Sequence, residues 1–194
     1  VGYKGEMPEN TVVDVKEGTT TIAEHALSHP NLVRVTLPES LKEIGKSAFQ
    51  GSSITSVTIP ENVENIGAYA FWECSNLKTV TWNAIDCKTK DDIFMYGNYN
   101  IESFIFGNKV KSIPDKLCQG FENLTQIELP SSIETIGVQA FAASGLQSLV
   151  IPANVSYIGR GAFGFCENLK TLTWNAVNCR TDACAIDEGT FEGY

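Results

Sequence analysis

The stretch ITSVTIPENVENIGAYAFWECSNL, residues 54–77, contains the unit from which most of this chain is built. The unit begins with an apolar residue that returns at intervals of 22 to 24 residues. These positions are Leu32, Ile54, Leu77, Ile101, Leu124, Leu146 and Leu169. A fixed period of this length is typical of solenoid proteins, whose coils stack and contact only their immediate neighbours.

A second, longer period lies over the first. Residues 54–87 align with residues 146–179 at an offset of 92, and 19 of these 34 positions are identical. The chain is therefore predicted to contain two tandem 92-residue blocks of four coils, about eight coils in all, with residues 1–11 as a polar lead-in. Because a repeat array forms one continuous body, we predict a single domain over residues 1–194.

Each unit opens with a short segment in which residues alternate as in a strand with one buried face. The segments are VRVTL, TSVTI, KTVTW, ESFIF, TQIEL, QSLVI and KTLTW. The side chains predicted to point inward are Val35, Val57, Val80, Phe104, Ile127, Leu149 and Leu172, with Leu37, Ile59, Trp82, Phe106, Leu129, Ile151 and Trp174. Stacking of successive coils would join these segments into one parallel sheet.

A second motif, Ile-Gly-x-x-Ala-Phe, follows the strand segment in the four complete units, as at residues 66–71. Its apolar residues lie at i, i+4 and i+5, a spacing that suits a turn or two of helix or 3-10 helix packed behind the sheet. The predicted fold class is therefore α/β and rich in strand.

The composition limits the possible partners. The chain has 43% hydrophobic residues, a formal net charge of −9 and no cluster of Lys or Arg. Nucleic acids and anionic membrane surfaces attract concentrated positive charge, so we predict that the chain binds no nucleic acid. A run of about 18 apolar residues, which a membrane-spanning helix needs, is also missing from the sequence, and we predict no membrane insertion.

The six cysteines are predicted to be mostly reduced, buried thiols. Cys74 and Cys87 have counterparts at Cys166 and Cys179, so duplicated bridges are the alternative. A strand of roughly 17 Å lies within each such loop, and a bridge needs Cα atoms within about 6 Å. Cys118 occupies a position where complete units carry the Phe of Ala-Phe, and it is predicted to be a core residue.

No motif predicts catalysis, a cofactor or a metal. Residues 159–164 spell G-x-G-x-x-G, but the repeat alignment assigns them to Ile-Gly and Ala-Phe rather than to a dinucleotide-binding turn. His25 and His29 have the i, i+4 spacing of zinc ligands without an evident third ligand. The acidic pairs Asp91-Asp92 and Asp187-Glu188 are expected to be solvated loops.

The outward positions of the strand segments form the candidate binding site. They are mostly small, hydroxyl-bearing and uncharged, so a partner could cover them without desolvating many charges, although threonine also suits any exposed strand. The candidates are Arg34, Thr36, Ser56, Thr58, Thr79, Thr81, Ser103, Gln126, Glu128, Ser148, Thr171 and Thr173. Two insertions, residues 83–100 and 175–192, are the alternative location, since binding is common on such loops, although they fit looser coils of the solenoid equally well.

The segments LPESLKEIGKSAF, IPENVENIGAYAF and IPANVSYIGRGAF resemble the BspA-type leucine-rich repeats of bacterial cell-surface proteins over about residues 12–192. The resemblance implies a right-handed solenoid with a parallel sheet on its concave side, no catalytic residues, and a cell-surface or secreted location. It also implies adhesion to a protein partner, such as a host extracellular-matrix protein. The alternative is a carbohydrate-binding or spacer module of a larger surface protein; the predicted inward positions of Trp82 and Trp174 disfavour sugar stacking.

Overall fold

A computed structural model describes residues 6–90, 92–94 and 100–182. This part of the chain consists of strands and turns without a helix, and it therefore contains no helix able to span a bilayer. The strands are β1 (Thr11–Asp14), β2 (Thr21–Ile22), β3 (Leu32–Thr36), β4 (Glu43–Ile44), β5 (Ser56–Ile59), β6 (Asn65–Ile66), β7 (Thr79–Trp82), β8 (Lys88–Thr89), β9 (Ser103–Phe106), β10 (Ser112–Ile113), β11 (Thr135–Ile136), β12 (Ser148–Ile151), β13 (Tyr157–Ile158), β14 (Thr171–Trp174) and β15 (Arg180–Thr181).

The longer strands form three parallel ladders, β1–β3, β5–β7–β9 and β12–β14. Two-residue strands form two more, in the orders β2–β4–β6–β8 and β10–β11–β13–β15, and these pairings are parallel as well. The predicted solenoid of parallel strands is confirmed. The prediction of one continuous sheet was wrong, because the ladder is interrupted between β3 and β5 and again after β9.

The segment TQIEL, residues 125–129, was predicted to be a strand and is not one. Its alternation persists, since Gln126 is exposed and Ile127 is half-buried. Within the described residues, a single backbone hydrogen bond joins it to the following coil, from the N–H of Gln147 to the carbonyl oxygen of Thr125 at 3.0 Å. Alternation fixes which side chains are buried, whereas a strand also requires a neighbour whose backbone groups are in register.

The helical turns predicted for Ile-Gly-x-x-Ala-Phe are not formed, and this prediction was wrong. The residue before Ala has a left-handed backbone in coil after coil, with φ of 51° at Ser47, 61° at Tyr69 and 54° at Gln139. Such a residue ends the run of right-handed conformations that a helix needs. The N–H groups of the turn bond to the next coil instead, as from Phe49 to Ala70 at 2.8 Å. The described fold is all-β, with ladders of turns where helices were expected.

The Phe rings of the Ala-Phe pairs form columns through the core. Phe49 and Phe71 stack with centroids 5.1 Å apart, and Phe94 stacks on the other side of Phe71 at 5.4 Å. Phe141 and Phe163 form a second stack at 5.8 Å. All five side chains are buried. The core is therefore continuous along the described coils, as the repeat pattern predicts.

Of the side chains predicted to point inward, most are buried or half-buried, but Trp174 is not. Trp174 is 37% exposed, whereas its counterpart Trp82 is fully buried. Strand β9 lies beside Trp82 and places the ring of Phe104 at 6.2 Å from it. Strand β14, which contains Trp174, has no described strand on its far side. The prediction that Trp174 is a core residue was wrong for the described part of the chain, in which no strand beside β14 covers its ring.

Candidate partner-binding face

Each of the twelve candidate residues has its side chain at least partly open to solvent. Thr79, Thr81 and Ser103 are half-buried and the other nine are exposed. We call this set the outward sheet face; it consists of Arg34, Thr36, Ser56, Thr58, Thr79, Thr81, Ser103, Gln126, Glu128, Ser148, Thr171 and Thr173.

The strand register aligns the hydroxyl-bearing residues of this face in rows. One row in the central ladder joins Ser56, Thr79 and Ser103, and a parallel row joins Thr58, Thr81 and Ile105. Because neighbouring parallel strands are about 4.8 Å apart, each row is a continuous strip of small side chains.

The same rows are present outside the central ladder. In the ladder β12–β14, Ser148 pairs with Thr171 and Val150 pairs with Thr173. Gln126 and Glu128 lie between the two ladders on the segment that forms no strand. The structure thus places all twelve candidates on one surface, and the surface is interrupted rather than continuous.

Two residues of this surface were missed by the sequence reasoning. Val12 pairs with Arg34, and Asp14 pairs with Thr36, so both extend the rows onto β1. Val12 is 44% exposed. The alternation of the VVDV segment contains the signal that could have identified them, since Val12 and Asp14 occupy the same face of β1.

Ion pairs among the described residues do not include the twelve residues of the outward sheet face, although Lys78 and Glu102, which directly precede Thr79 and Ser103, are paired at 2.8 Å. Lys42 and Glu64 approach to 3.0 Å, and Lys109 and Glu61 to 2.8 Å. No member of the outward sheet face takes part in an ion pair within the described part of the chain. A partner that contacts only these twelve side chains would therefore break no charge pair, and surface pairs of this kind each contribute only about 0–1 kcal/mol.

The described residues offer little for catalysis or metal binding. They contain no group of three or more His, Cys, Asp or Glu that could hold a metal ion. His25 lies in a turn, and His29 accepts a hydrogen bond from the N–H of Asn31 through Nδ1 at 3.1 Å. Of the two acidic pairs noted in the sequence, only Asp92 is among the described residues. The other three residues, Asp91, Asp187 and Glu188, lie outside them.

Part of the first insertion belongs to the core, in keeping with the alternative that the insertions are looser coils, although its buried residues were not identified from the sequence. Ile93 and Phe94 are buried, and the N–H of Phe71 donates to the carbonyl oxygen of Ile93 at 2.9 Å. They take the place of an Ala-Phe pair, and the 23-residue step from Phe71 to Phe94 was the available signal. This part of the insertion is a modified coil rather than a free loop.

The cysteines described are free thiols. Cys74, Cys87, Cys118 and Cys166 are buried and Cys179 is half-buried, which agrees with the prediction for these five; Cys184 lies outside the described residues. Burial raises the pKa of the Cys74 thiol to about 11, even though its hydrogen bond with Ser52 lowers it. Burial also raises the pKa of Cys118 well above its usual range. Thiols of this kind are poor nucleophiles because the thiolate is the reactive form.

We expect iodoacetamide at pH 8 to alkylate Cys179 well before Cys74, Cys118 and Cys166. Burial raises the pKa of all four thiols, but Cys179 is half-buried and open to the reagent, whereas the other three are buried. Peptide mass spectrometry over a time course measures the rates, and the urea-unfolded chain provides the control, since all its thiols should react alike. Alkylation of Cys118 in the folded chain as fast as that of Cys179 would contradict the buried-thiol assignment.

The cysteines carry a prediction of pH dependence as well. A thiol whose pKa is raised by folding stabilises the fold below its unfolded pKa of about 9. That contribution is lost as the pH rises from about 9 toward the folded value, about 11 for Cys74 and about 12 for Cys87. Urea midpoints at pH 8 and pH 10.5 should therefore differ, and the difference should shrink in a Cys74→Ala/Cys87→Ala variant.

Parallel strands that recur in successive coils around a continuous apolar core define a solenoid protein. The chain belongs to the BspA type leucine rich repeat region family, whose model matches it in six copies over residues 7–93 and 87–192. The family predicted from the repeated motif is thereby confirmed. A comparison with curated proteins found no match.

Several bacterial leucine-rich repeat proteins of known structure share the fold. One from Bacteroides ovatus is 20% identical with a TM-score of 0.72, over 88% of this chain and 44% of that chain. One from Eubacterium ventriosum is 23% identical with a TM-score of 0.67, over 80% and 42%. The T. pallidum protein is 24% identical with a TM-score of 0.53, over 84% and 68%. The chain thus spans less than half of the first two proteins, and the likeness establishes the fold alone.

Proposed function

We infer that this chain is a non-enzymatic module of a cell-surface or secreted protein that binds a protein partner across the outward sheet face. The observation that supports this most is the pair of rows through Ser56 and Thr58, whose side chains are exposed or half-buried, aligned in register and, among the described residues, free of ion pairs. Covering hydroxyl groups requires less desolvation than covering charges. Solenoids commonly bind partners along such an extended surface.

Host extracellular-matrix proteins are the proposed partners, on the basis of the family. The test is binding of the chain to a panel that includes fibronectin and fibrinogen, beside a Thr58→Arg/Thr81→Glu variant. The two residues are directly paired on β5 and β7, so the substitutions place a large charged pair in the centre of the face. We expect at least a tenfold loss of affinity, measured by surface plasmon resonance.

The matched control is a Ser112→Arg/Thr135→Glu variant. These residues are also paired on neighbouring parallel strands, but on β10 and β11 of the short-strand ladder. The substitutions introduce the same charges in place of the same kind of side chain, and binding should be retained. Equal loss in both variants would indicate a general effect on folding. Binding retained in the Thr58/Thr81 variant would move the site to the insertions, and no binding to any matrix protein would favour the spacer role.

Carbohydrate binding is the second candidate, because Trp174 is 37% exposed and a partly open indole can stack on a sugar. The indole N–H of Trp174 donates to the carbonyl oxygen of Ala176 at 2.9 Å, which holds the ring in place. Glycan-array hits that are lost in a Trp174→Ala variant and kept in the Thr58/Thr81 variant would support this function over protein binding.

A further inference from the structure

The interruption of the sheet after β9 leaves a cleft of about 670 Å³. One wall is β9 and the other is the segment of residues 125–128, with residues 148–150 of β12 behind it. The cleft lies on the outward sheet face, at the position where a further strand of the ladder was predicted. Its walls are consecutive coils of the solenoid that are not joined by a ladder.

The backbone groups of β9 on this side have no described partner. The N–H of Ser103 donates to Lys78 at 3.1 Å and the N–H of Gly107 donates to Trp82 at 2.8 Å, so both face β7. Successive residues of a strand direct their backbone groups to opposite edges. The N–H and C=O of Phe104, between these two residues, therefore face the cleft, and those of Phe106 do as well. This is an open sheet edge of the kind to which a further strand can pair.

The opposite wall is open too. Among the described residues, no backbone hydrogen bond joins residues 125–129 to β9, and on the other side only the carbonyl oxygen of Thr125 accepts one, from the N–H of Gln147. Backbone groups without a described partner along both walls can hydrogen-bond to an extended chain placed beside β9. A four-residue strand such as β9 is about 13 Å long, so it matches a segment of about four residues.

The side chains around the cleft specify the chemistry of such a segment. Ile105 and Val150 are each 52% exposed on its outer rim, and Ile127 on the inner side is only half-buried. Apolar residues at alternate positions of the added strand would cover them. Glu102 and Glu128 are the charged residues of the lining, and both are acidic.

The two acidic residues differ in their neighbours. Glu102 is paired with Lys78 at 2.8 Å, whereas Glu128 has no cationic partner among the described residues. The acidic lining and the net charge of −9 favour a cationic occupant. A lysine or arginine of the added segment that reaches Glu128 would complete the pair.

We propose that this cleft binds an extended segment of a partner protein by strand addition to the free edge of β9. The segment has apolar residues at alternate positions and a lysine or arginine that pairs with Glu128. This inference rests on the proposed function in that it assumes a protein partner, and it adds a defined site and a defined partner chemistry. Strand addition is a known mode of peptide recognition, in which main-chain hydrogen bonds give affinity and side-chain contacts give specificity.

The first test is hydrogen exchange of individual amides, measured by NMR. In the free chain, the amides of Phe104 and Phe106 should exchange at least tenfold faster than that of Ile105, which faces β7. Ile105 is an internal control because it lies on the same strand and differs only in the edge that its N–H faces. Equal protection of the three amides in the free chain would overturn the proposal, because it would show that the edge is already paired.

The second test selects ten-residue peptides from a random displayed library on the intact chain. Selected peptides should alternate apolar residues and carry a lysine or arginine, and their binding should protect Phe104 and Phe106 at least tenfold. N-methylation of the peptide at alternate residues should abolish binding, while methylation of the intervening residues should be tolerated. Selected peptides that bind without protecting these amides, or tolerate methylation at every position, would overturn strand addition.

A charge reversal with a matched control tests the partner chemistry. Glu128→Lys should weaken binding of the selected peptides at least tenfold, whereas Glu43→Lys, an equal change on the exposed strand β4, should change it less than twofold. Retained binding in the Glu128→Lys variant would overturn the assignment of the cation to Glu128. Protection of Phe104 and Phe106 that appears only in a concentration-dependent dimer would overturn the proposal in favour of a second copy of this chain.

The outcomes separate this inference from the proposed function. Loss of matrix-protein binding in the Thr58/Thr81 variant, together with selected peptides that bind without protecting Phe104 and Phe106, would support the proposed function and overturn strand addition at the cleft. If selected peptides bind by strand addition but the chain binds no matrix protein, the cleft is supported as a binding site and adhesion to matrix proteins is not.

Discussion

Replacing Gly67 by alanine is expected to lower the free energy of unfolding by about 3 kcal/mol, the upper end of the usual cost of overpacking. A Cβ at this position would lie 2.5 Å from the backbone N of Lys46 and 2.8 Å from the carbonyl carbon of Gly45. Both atoms belong to the backbone of the preceding coil, so no change of rotamer can relieve the contact. The coils would have to separate, which weakens the 2.8 Å hydrogen bond from Gly67 N–H to the carbonyl oxygen of Ile44.

Gly51→Ala is the matched control for this prediction. Gly51 has φ of +67°, and a Cβ there would meet nothing within 4 Å. Its cost is the left-handed backbone alone, about 1 kcal/mol. Urea denaturation followed by tryptophan fluorescence measures both variants. Equal midpoints for Gly67→Ala and Gly51→Ala would contradict the view that the glycine of Ile-Gly is required by close contact between coils.

The position of this glycine was predictable from the sequence, but its purpose was not. The repeat alignment places Gly45, Gly67, Gly137 and Gly159 in one register. In the structure, a Cβ at any of the four would come within 2.5 to 2.6 Å of backbone or polar atoms of the preceding coil. That contact exists only after two coils have stacked, so nothing in a single coil of sequence specifies it.

The backbone conformation of the Ile-Gly-x-x-Ala-Phe turns could not be predicted from a single coil of sequence either. The residues with a left-handed backbone before Ala include Ser47, Tyr69 and Gln139, and none of these is a glycine or asparagine, the residues that favour this conformation. Their conformation is imposed by hydrogen bonds between coils rather than by local preference. Apolar spacing alone suggested a helix, because positions i, i+4 and i+5 also fit one face of a helix. The competing pattern becomes visible only when the backbone partners in the next coil are known.

The outward sheet face was predictable because it depends on one simple periodicity. Alternation fixes the exposure of Thr58, Thr81 and Thr173 whatever the pairing partners are. Which neighbouring segments pair as strands could not be predicted. The cleft beside β9 exists because residues 125–129 do not pair with β9. The exposure of Trp174 also depends on pairing. Trp174 occupies the same repeat position as Trp82 but has no described strand beside it to cover the ring.

Replacing Phe71 by alanine is expected to cost about 3–5 kcal/mol of stability, through lost transfer free energy and the cavity left behind. Phe71 is fully buried and stacks between Phe49 at 5.1 Å and Phe94 at 5.4 Å. The coils on both sides lose a contact, and neither can collapse into the space without breaking its ladder. Phe165→Ala is the control, because Phe165 is 61% exposed and its loss should cost about 0.5 kcal/mol or less. A Phe71→Ala midpoint as high as that of Phe165→Ala would refute the column as a source of stability.

Double variants show whether the column acts as a unit. Phe49 and Phe71 are in contact, so Phe49→Ala and Phe71→Ala should not be additive, with an interaction energy of about 0.5–3 kcal/mol. Phe71 and Phe163 are four coils apart, roughly 19 Å at strand spacing, so their effects should add within about 0.5 kcal/mol. Urea midpoints of the two double variants, beside the three single ones, measure both energies. If the effects add in both double variants, each ring contributes to stability independently. If the effects add only in the Phe71/Phe163 variant, contacts between neighbouring rings couple the stabilities of adjacent coils.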